Sequence, residues 1–156
     1  MLKSHNIFNN KKILIYGLGK SGLSASKFLK RNNKVIEYDD KKNKNYGKIR
    51  KIEFDYIILS PGIDINKCKL SNFLKKNYNK IHTDLDIFYN NYKYNYKITI
   101  TGTNGKSTTA KILYEVIKAQ KIDVRLVGNI GNPILLEKNI TNKTIFIIEA
   151  SSYQLA

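Results

Sequence analysis

Cysteine is almost missing from this chain: Cys68 is the only one among 156 residues. An internal disulfide is therefore excluded, and a reducing compartment, the cytoplasm, is the expected setting. Histidine is nearly as scarce. His5 and His82 have no second histidine and no cysteine at ligand spacing, so both read as surface or turn residues and not as metal ligands. Long apolar runs are lacking too. None approaches the ~20 residues that span a bilayer, and Met1 to Asn6 has no signal-peptide pattern, so no membrane insertion is expected. Acidic residues are few, 12 against 28 basic ones, for a formal net charge of +16. Such an excess can mark a nucleic-acid partner. Here the lysines are scattered among asparagines, isoleucines and tyrosines along the whole chain, with no block and no aromatic–basic pattern. They read as solvated faces with no nucleic-acid partner, although the charge can steer anionic substrates.

What is present organises around Thr101-Gly102-Thr103-Asn104-Gly105-Lys106-Ser107-Thr108. The alternating run Lys97-Ile98-Thr99-Ile100 before it reads as a strand, and Thr109 to Ile117 after it as a helix. A strand, a glycine-bearing turn and a helix opening on Gly-Lys-Ser make a phosphate cradle, because the glycines admit close backbone approach and the free N–H groups at the helix start face the anion. Lys106 would set a positive charge against the outer phosphates, and the Ser107 hydroxyl would ligate Mg²⁺. Ile100 stands where the general phosphate-loop pattern has its first glycine. The alternative is a glycine–asparagine turn capped by Ser107.

With 42% hydrophobic residues the chain can bury a core, and its length suits one domain, or one small domain and part of another. Lys12 to Tyr16 is a short buried strand by pattern, followed directly by Gly17-Leu18-Gly19-Lys20-Ser21-Gly22. Leu23, Ala25, Phe28 and Leu29 suggest a helix, and Lys34 to Tyr38 a second strand closing on Asp39-Asp40. This βαβ unit, with carboxylates about 20 residues beyond the first glycine, is a dinucleotide fingerprint in its proper context. NAD with Asp39 on a ribose is one reading. A nucleoside diphosphate at the helix start, with Asp39 or Asp40 accepting from ribose or base, is another, and a purely structural turn is a third. Lys41 to Lys51 reads as loop or weak helix, and Tyr56 to Leu59 as a strand ending in Ser60-Pro61-Gly62-Ile63, where ligands collect in doubly wound folds. Leu70 to Asn77 suggests a helix and Lys80 to His82 a short strand. Asp84 and Asp86 read as caps of a helix through Ile87 and Phe88. The pattern breaks at Tyr92 to Lys97, so the boundary is set between a first domain, 1–93, and a second, 94–156.

In the second domain Asp123 to Val127 reads as a strand followed by the tight loop Gly128-Asn129-Ile130-Gly131-Asn132-Pro133. Thr144 to Ile148 is an apolar strand that delivers Glu149 at its end, a position suited to holding Mg²⁺ directly or through water. The bland reading is a strand-end charge facing solvent. The expected fold class is α/β: a Rossmann-like parallel-sheet domain, then the incomplete start of a phosphate-loop ATPase-type α/β domain.

Taken together, GLGKSGLS (Gly17 to Ser24), SPGI (Ser60 to Ile63), DLDIF (Asp84 to Phe88), ITGTNGKST (Ile100 to Thr108), GNIGNP (Gly128 to Pro133) and EASSYQL (Glu149 to Leu155) resemble the Mur ligase family, in family order and near family spacing. The similarity is to members that add D-glutamate to UDP-N-acetylmuramoyl-L-alanine, through an acyl phosphate, in cytoplasmic peptidoglycan precursor synthesis. It implies ATP and Mg²⁺ as cofactors, and a monomeric three-domain enzyme when full-length. It implies Lys20 and Ser21 by the uridine diphosphate, and Asp39, Asp40 and Lys41 around uracil and ribose, with Asp40 and Lys41 in place of the family's usual Thr and Arg. Gly62 and Asn129 would contact the sugar-phosphate part. Gly102, Thr103, Asn104, Gly105, Lys106, Ser107 and Thr108 would hold ATP, with Lys106 catalytic and Ser107 and Glu149 serving Mg²⁺. The family pattern continues with a second metal site, adenine-binding residues and a third domain, so the chain is expected to be an N-terminal fragment or a truncated gene product, inactive alone. The alternatives are a folylpolyglutamate-type ligase of the same superfamily, an NAD-binding module and a non-catalytic nucleotide-binding remnant. The first lacks the Gly17 to Gly22 domain, and the second leaves the later phosphate loop unexplained.

Overall fold

The computed structural model describes residues 7–42 and 46–151. The readings placed on His5, on the Met1 to Asn6 stretch and on Ser152 to Leu155 lie outside the described residues. The chain divides into two compact units, Met1–Asn91 and Tyr92–Ala156.

In the first unit the strands are β1 (Lys12–Tyr16), β2 (Lys34–Tyr38), β3 (Tyr56–Leu59) and β4 (Ile81–His82), and the helices α1 (Lys20–Leu29), α2 (Tyr46–Ile49), α3 (Ser71–Lys76) and α4 (Asp84–Asn91). The strands pair in the order β2-β1-β3-β4, every pair parallel. Residues alternate between the two faces of a strand. Leu14, Tyr16, Tyr38, Ile57 and Leu59 join Ile49, Phe54, Leu70 and Leu74 in one core layer. Ile13, Ile15 and Ile58 take the other phase, and they are as fully buried as Ala25 and Leu29 of α1 and Leu85, Ile87 and Phe88 of α4. Both faces are covered, which is why these strands read as continuous apolar runs and not as polar–apolar alternation.

The reading of Lys41 to Lys51 as loop or weak helix ends in one helical turn, α2. His82, expected at the surface or in a turn, lies in β4. Its ring packs against Phe8 and Tyr56 at 5.4 and 5.1 Å, because parallel pairing with β3 draws this short strand into the sheet.

In the second unit β5 (Lys97–Ile100), β6 (Val124–Gly128) and β7 (Ile145–Glu149) form a parallel sheet in the order β5-β7-β6, with helix α5 (Lys106–Ala119) packed on it. One buried cluster joins Ala110, Val124 and Ile147, flanked by Leu113, Ile117 and Leu126, and Val127, Phe146 and Ile148 are fully buried as well. The strand latest in sequence is central, so Glu149 pairs in register with Ile100 on one side and Gly128 on the other. Lys97 begins β5 with its ammonium half-buried, donating to the carbonyls of Tyr92 and Asn95. Burial pushes its pKa down.

Candidate functional site

Two glycine-loop corners stand at carboxyl ends of parallel strands, one in each unit. In the first, the glycine loop follows β1 and the Ser60-Pro61-Gly62 turn follows β3, so they flank the crevice where ligands enter an open parallel sheet. Two side chains from other elements hold this loop. The Ser60 hydroxyl donates to the Gly17 carbonyl at 2.7 Å. The Leu18 N–H donates to Asp39 Oδ2 at 2.8 Å. The buried Asp84 carboxyl lies on α4, which packs against α1.

Asp39 also accepts the Lys41 N–H at 2.9 Å, and these backbone donors hold its carboxyl below the usual carboxylate range. Asp40 has different partners. It accepts the Tyr16 hydroxyl at 2.8 Å and the Lys69 N–H at 3.1 Å, while the Lys69 ammonium reaches the Asp40 carbonyl. Burial drives the Tyr16 phenol well above its ordinary pKa, and Cys68 and Asp40 add to the shift. Lys20, Lys41 and Gly62 are exposed at the same edge of the sheet, and Ser21 is half-buried beside them.

The acidic pair read as caps divides. Asp86 does cap α4: it accepts the Thr83 N–H at 2.6 Å and the Thr83 hydroxyl at 3.0 Å. Asp84 is only 7% exposed, on the face of the molecule where α4 packs against α1. Burial raises its pKa, opposed by the Ser21 hydroxyl and the Leu85 N–H.

In the second unit Gly102, Thr103, Asn104 and Gly105 form an exposed loop between β5 and α5, and Lys106, Ser107 and Thr108 open the helix. The Lys106 ammonium folds back on its own loop, donating to the Gly102 carbonyl at 2.6 Å. Asn129 is exposed in the loop after β6, and its N–H is held by the Glu149 carbonyl at 3.0 Å. A Cβ on Gly128 would lie 2.2 Å from that same carbonyl oxygen, and Gly128 has φ +105°, so this corner admits only glycine. Arg125 and Glu137 brace the loop from below: Arg125 Nε lies 3.3 Å from Glu137 Oε2, and Glu137 Oε1 accepts from Asn132 at 2.8 Å.

Glu149 is not a solvent-facing strand end. It is 4% exposed, and among the described residues its Oε2 has no hydrogen-bond partner. A buried carboxylate oxygen without a donor is costly unless a cation or water completes it. Among the described residues no group of three or more His, Cys, Asp and Glu is arranged to hold a metal ion. A cation here would rest on Glu149, the Ser107 hydroxyl and oxygens brought by a nucleotide, and the unpartnered Oε2 fits that arrangement.

Sequence reasoning singled out neither Tyr16 nor Glu137, and it read Asp84 as a cap. Tyr16 sits inside an apolar run, and Glu137 lies in a stretch without periodic pattern, so neither carried a local signal.

Residues 100–156 match the Mur ligase middle domain model. The chain is 33% identical to a UDP-N-acetylmuramoylalanine--D-glutamate ligase of Rickettsia bellii, over 96% of this chain and 36% of that protein. It is 32% identical to a ligase of the same name from Caldicellulosiruptor saccharolyticus, over 93% of this chain and 37% of that one. A solved UDP-N-acetylmuramate:L-alanyl-gamma-D-glutamyl-meso-diaminopimelate ligase from Neisseria meningitides shares the fold at TM-score 0.54 and 16% identity, over 90% of this chain and 52% of that structure. The chain thus spans about a third of the length of these curated relatives.

Proposed function

The chain belongs to the Mur ligase family, and from that premise we infer that it serves ATP-dependent addition of D-glutamate to UDP-N-acetylmuramoyl-L-alanine in cytoplasmic peptidoglycan precursor synthesis. Residues 1–93 would be the Rossmann-like domain that binds the UDP end of the substrate, and 94–156 part of the central ATP-binding domain. The observation that carries this reading is Glu149: a buried carboxylate with an unpartnered oxygen, on the central strand between two glycine loops. A parallel sheet built only to be stable has no reason to keep it.

The terminal carboxylate of the substrate is a poor electrophile, and attack on the γ-phosphoryl group of ATP converts it to an acyl phosphate that the amine of D-glutamate displaces. Two anions meet in the first step. The Lys106 ammonium, released from the Gly102 carbonyl, and the backbone N–H groups of Gly105 to Thr108 would offset their repulsion. Mg²⁺, when bound, would supply further charge neutralisation at the phosphates. Ser107 and Glu149 would hold it. In the first unit Lys20 and Ser21 would face the diphosphate, Asp39, Asp40 and Lys41 the uridine side, and Gly62 the sugar-phosphate part, which Asn129 of the second unit would also contact.

Calorimetric titration with UDP-N-acetylmuramoyl-L-alanine and with NADH tests the first unit; binding of NADH in preference to the UDP compound would overturn the reading. Asp39→Ala is expected to weaken UDP binding and leave ATP binding intact. Its direct effect is to take the acceptor from the half-buried Leu18 N–H, while the exposed Lys41 N–H turns to water, a loss of about 0.5–1.5 kcal/mol. The sign of the pH dependence follows from the lowered pKa of Asp39. The clamp contributes fully above the unfolded value of about 3.9 and is lost as pH falls through the lower folded value. Thermal melts of wild type and Asp39→Ala should therefore differ near neutral pH and converge in strong acid.

A further inference from the structure

Asp40 has both carboxylate oxygens on donors of its own chain. Oδ1 accepts the Tyr16 hydroxyl at 2.8 Å, and Oδ2 accepts the Lys69 N–H at 3.1 Å. These partners stand 24 and 29 residues away in sequence. Tyr16 ends β1 and pairs in register with Tyr38 at the end of β2, so the hydroxyl of its fully buried ring reaches the turn that follows β2. Phenylalanine would fill the same space. A buried phenol needs an acceptor, and here the acceptor is Asp40. Lys69 is anchored in turn: its ammonium donates to the Asp40 carbonyl at 2.9 Å, and its own carbonyl accepts from Arg50 at 2.8 Å. Asp39 is likewise taken up by the Leu18 and Lys41 N–H groups. The turn 39–41 is thus fastened twice, by Asp39 to the glycine loop and by Asp40 to Tyr16 and the segment before α3.

We propose that Tyr16 is a positioning residue for the uridine side of the crevice: by holding the Asp40 carboxylate it fixes the 39–41 turn in the geometry that meets the nucleoside, and Asp40 gives its carboxylate to the fold and not to the ligand. This rests on the reading that the first unit binds the UDP end of the substrate. In a dinucleotide fold the carboxylate after the second strand accepts from a ribose hydroxyl. Here a ribose or uracil donor would have to crowd beside donors already in place on both oxygens. A turn fastened before the ligand arrives has less freedom to lose on binding, and that is the source of the affinity Tyr16 adds. The two roles differ in sign. If Asp40 were the acceptor for the nucleoside, freeing Oδ1 from Tyr16 would leave UDP affinity as it was or raise it. A positioning role requires that it fall.

Tyr16→Phe removes one oxygen and keeps the ring against Tyr38, whose centroid is 5.2 Å away. Calorimetry on the full chain with UDP, well below the melting transition, should show affinity lower by about two- to tenfold, the range of one hydrogen bond. Affinity for ATP, assigned to the second unit, should not move. A tyrosine that served stability alone would lower the melting temperature and leave the UDP affinity of the folded chain unchanged. Asp40→Ala should lose at least as much as Tyr16→Phe. In that background Tyr16→Phe should add nothing, because Tyr16 acts only through Asp40. Even if Asp40→Ala folds poorly, the sign of the Tyr16→Phe effect decides. Unchanged or tighter UDP binding by Tyr16→Phe, or losses that add in full in the double variant, would overturn the proposal and leave the UDP site standing. No UDP binding by wild type would overturn the reading of the first unit, and this proposal with it.

Discussion

Replacing Lys106 with alanine is expected to lower ATP-dependent ligation by ~10²–10³ or more, the loss typical when a group that stabilises transition-state charge is removed. The assay follows ADP release with UDP-N-acetylmuramoyl-L-alanine and D-glutamate, in a chimaera where residues 1–156 replace the matching third of the Rickettsia bellii relative. The Lys106 ammonium lies against the Gly102 and Thr103 carbonyls, contacts local to its own loop, so removing it should leave the melting temperature nearly unchanged. Lys106→Arg keeps the charge but carries it on a planar fork of different reach, and should recover only part of the rate. Near wild-type turnover by the alanine variant would remove Lys106 from the mechanism. A large fall in melting temperature would mean that its role is structural.

Gly22→Ala is expected to have the largest effect on stability. A Cβ at this position would lie 1.8 Å from the Gly17 carbonyl oxygen and 2.7 Å from Ser60 Oγ. The first of these is backbone, so no rotamer change relieves it. The third glycine of the loop exists because α1 crosses β1 at backbone distance. Pushing the helix away disturbs the covering of Ile13 and Ile15 and costs about 3 kcal/mol or more. For a unit of this size that corresponds to a fall in Tm of roughly 12–24 °C, with loss of UDP binding. Gly19→Ala is the informative comparison. Nothing lies within 4 Å of a Cβ there and Gly19 has no positive φ, so stability should hold. UDP binding should still fall, because the added methyl occupies the space through which the backbone would meet the diphosphate. Circular-dichroism melts paired with calorimetry separate the two. A Gly22→Ala variant that melts within a few degrees of wild type would show that the helix is free to shift.

The sequence by itself determined the α/β class and its strands. Lys12 to Tyr16, Lys34 to Tyr38, Tyr56 to Leu59 and Lys97 to Ile100 carry dense β-branched and apolar residues, and each stands where a strand forms. It also determined the two glycine loops, because a close backbone approach and a helix start leave local marks in glycine and in Lys-Ser. The family likeness followed from the order of those loops. What tertiary structure decided is which polar groups are used up inside the fold. Asp39, Asp40, Asp84 and Asp86 look alike in the chain. Pairing of parallel strands sets Asp39 on the Leu18 N–H and turns Asp40 to Tyr16, while packing of α4 on α1 buries Asp84 and leaves Asp86 as the cap. Glu149 read as a metal ligand, with a solvent-facing strand-end charge as the alternative. Its burial follows from β7 entering between β5 and β6, strands much earlier in the chain. Propensity and motif spacing act over a few residues, whereas burial and hydrogen-bond partners arise between residues far apart in sequence, and only the folded chain brings those together.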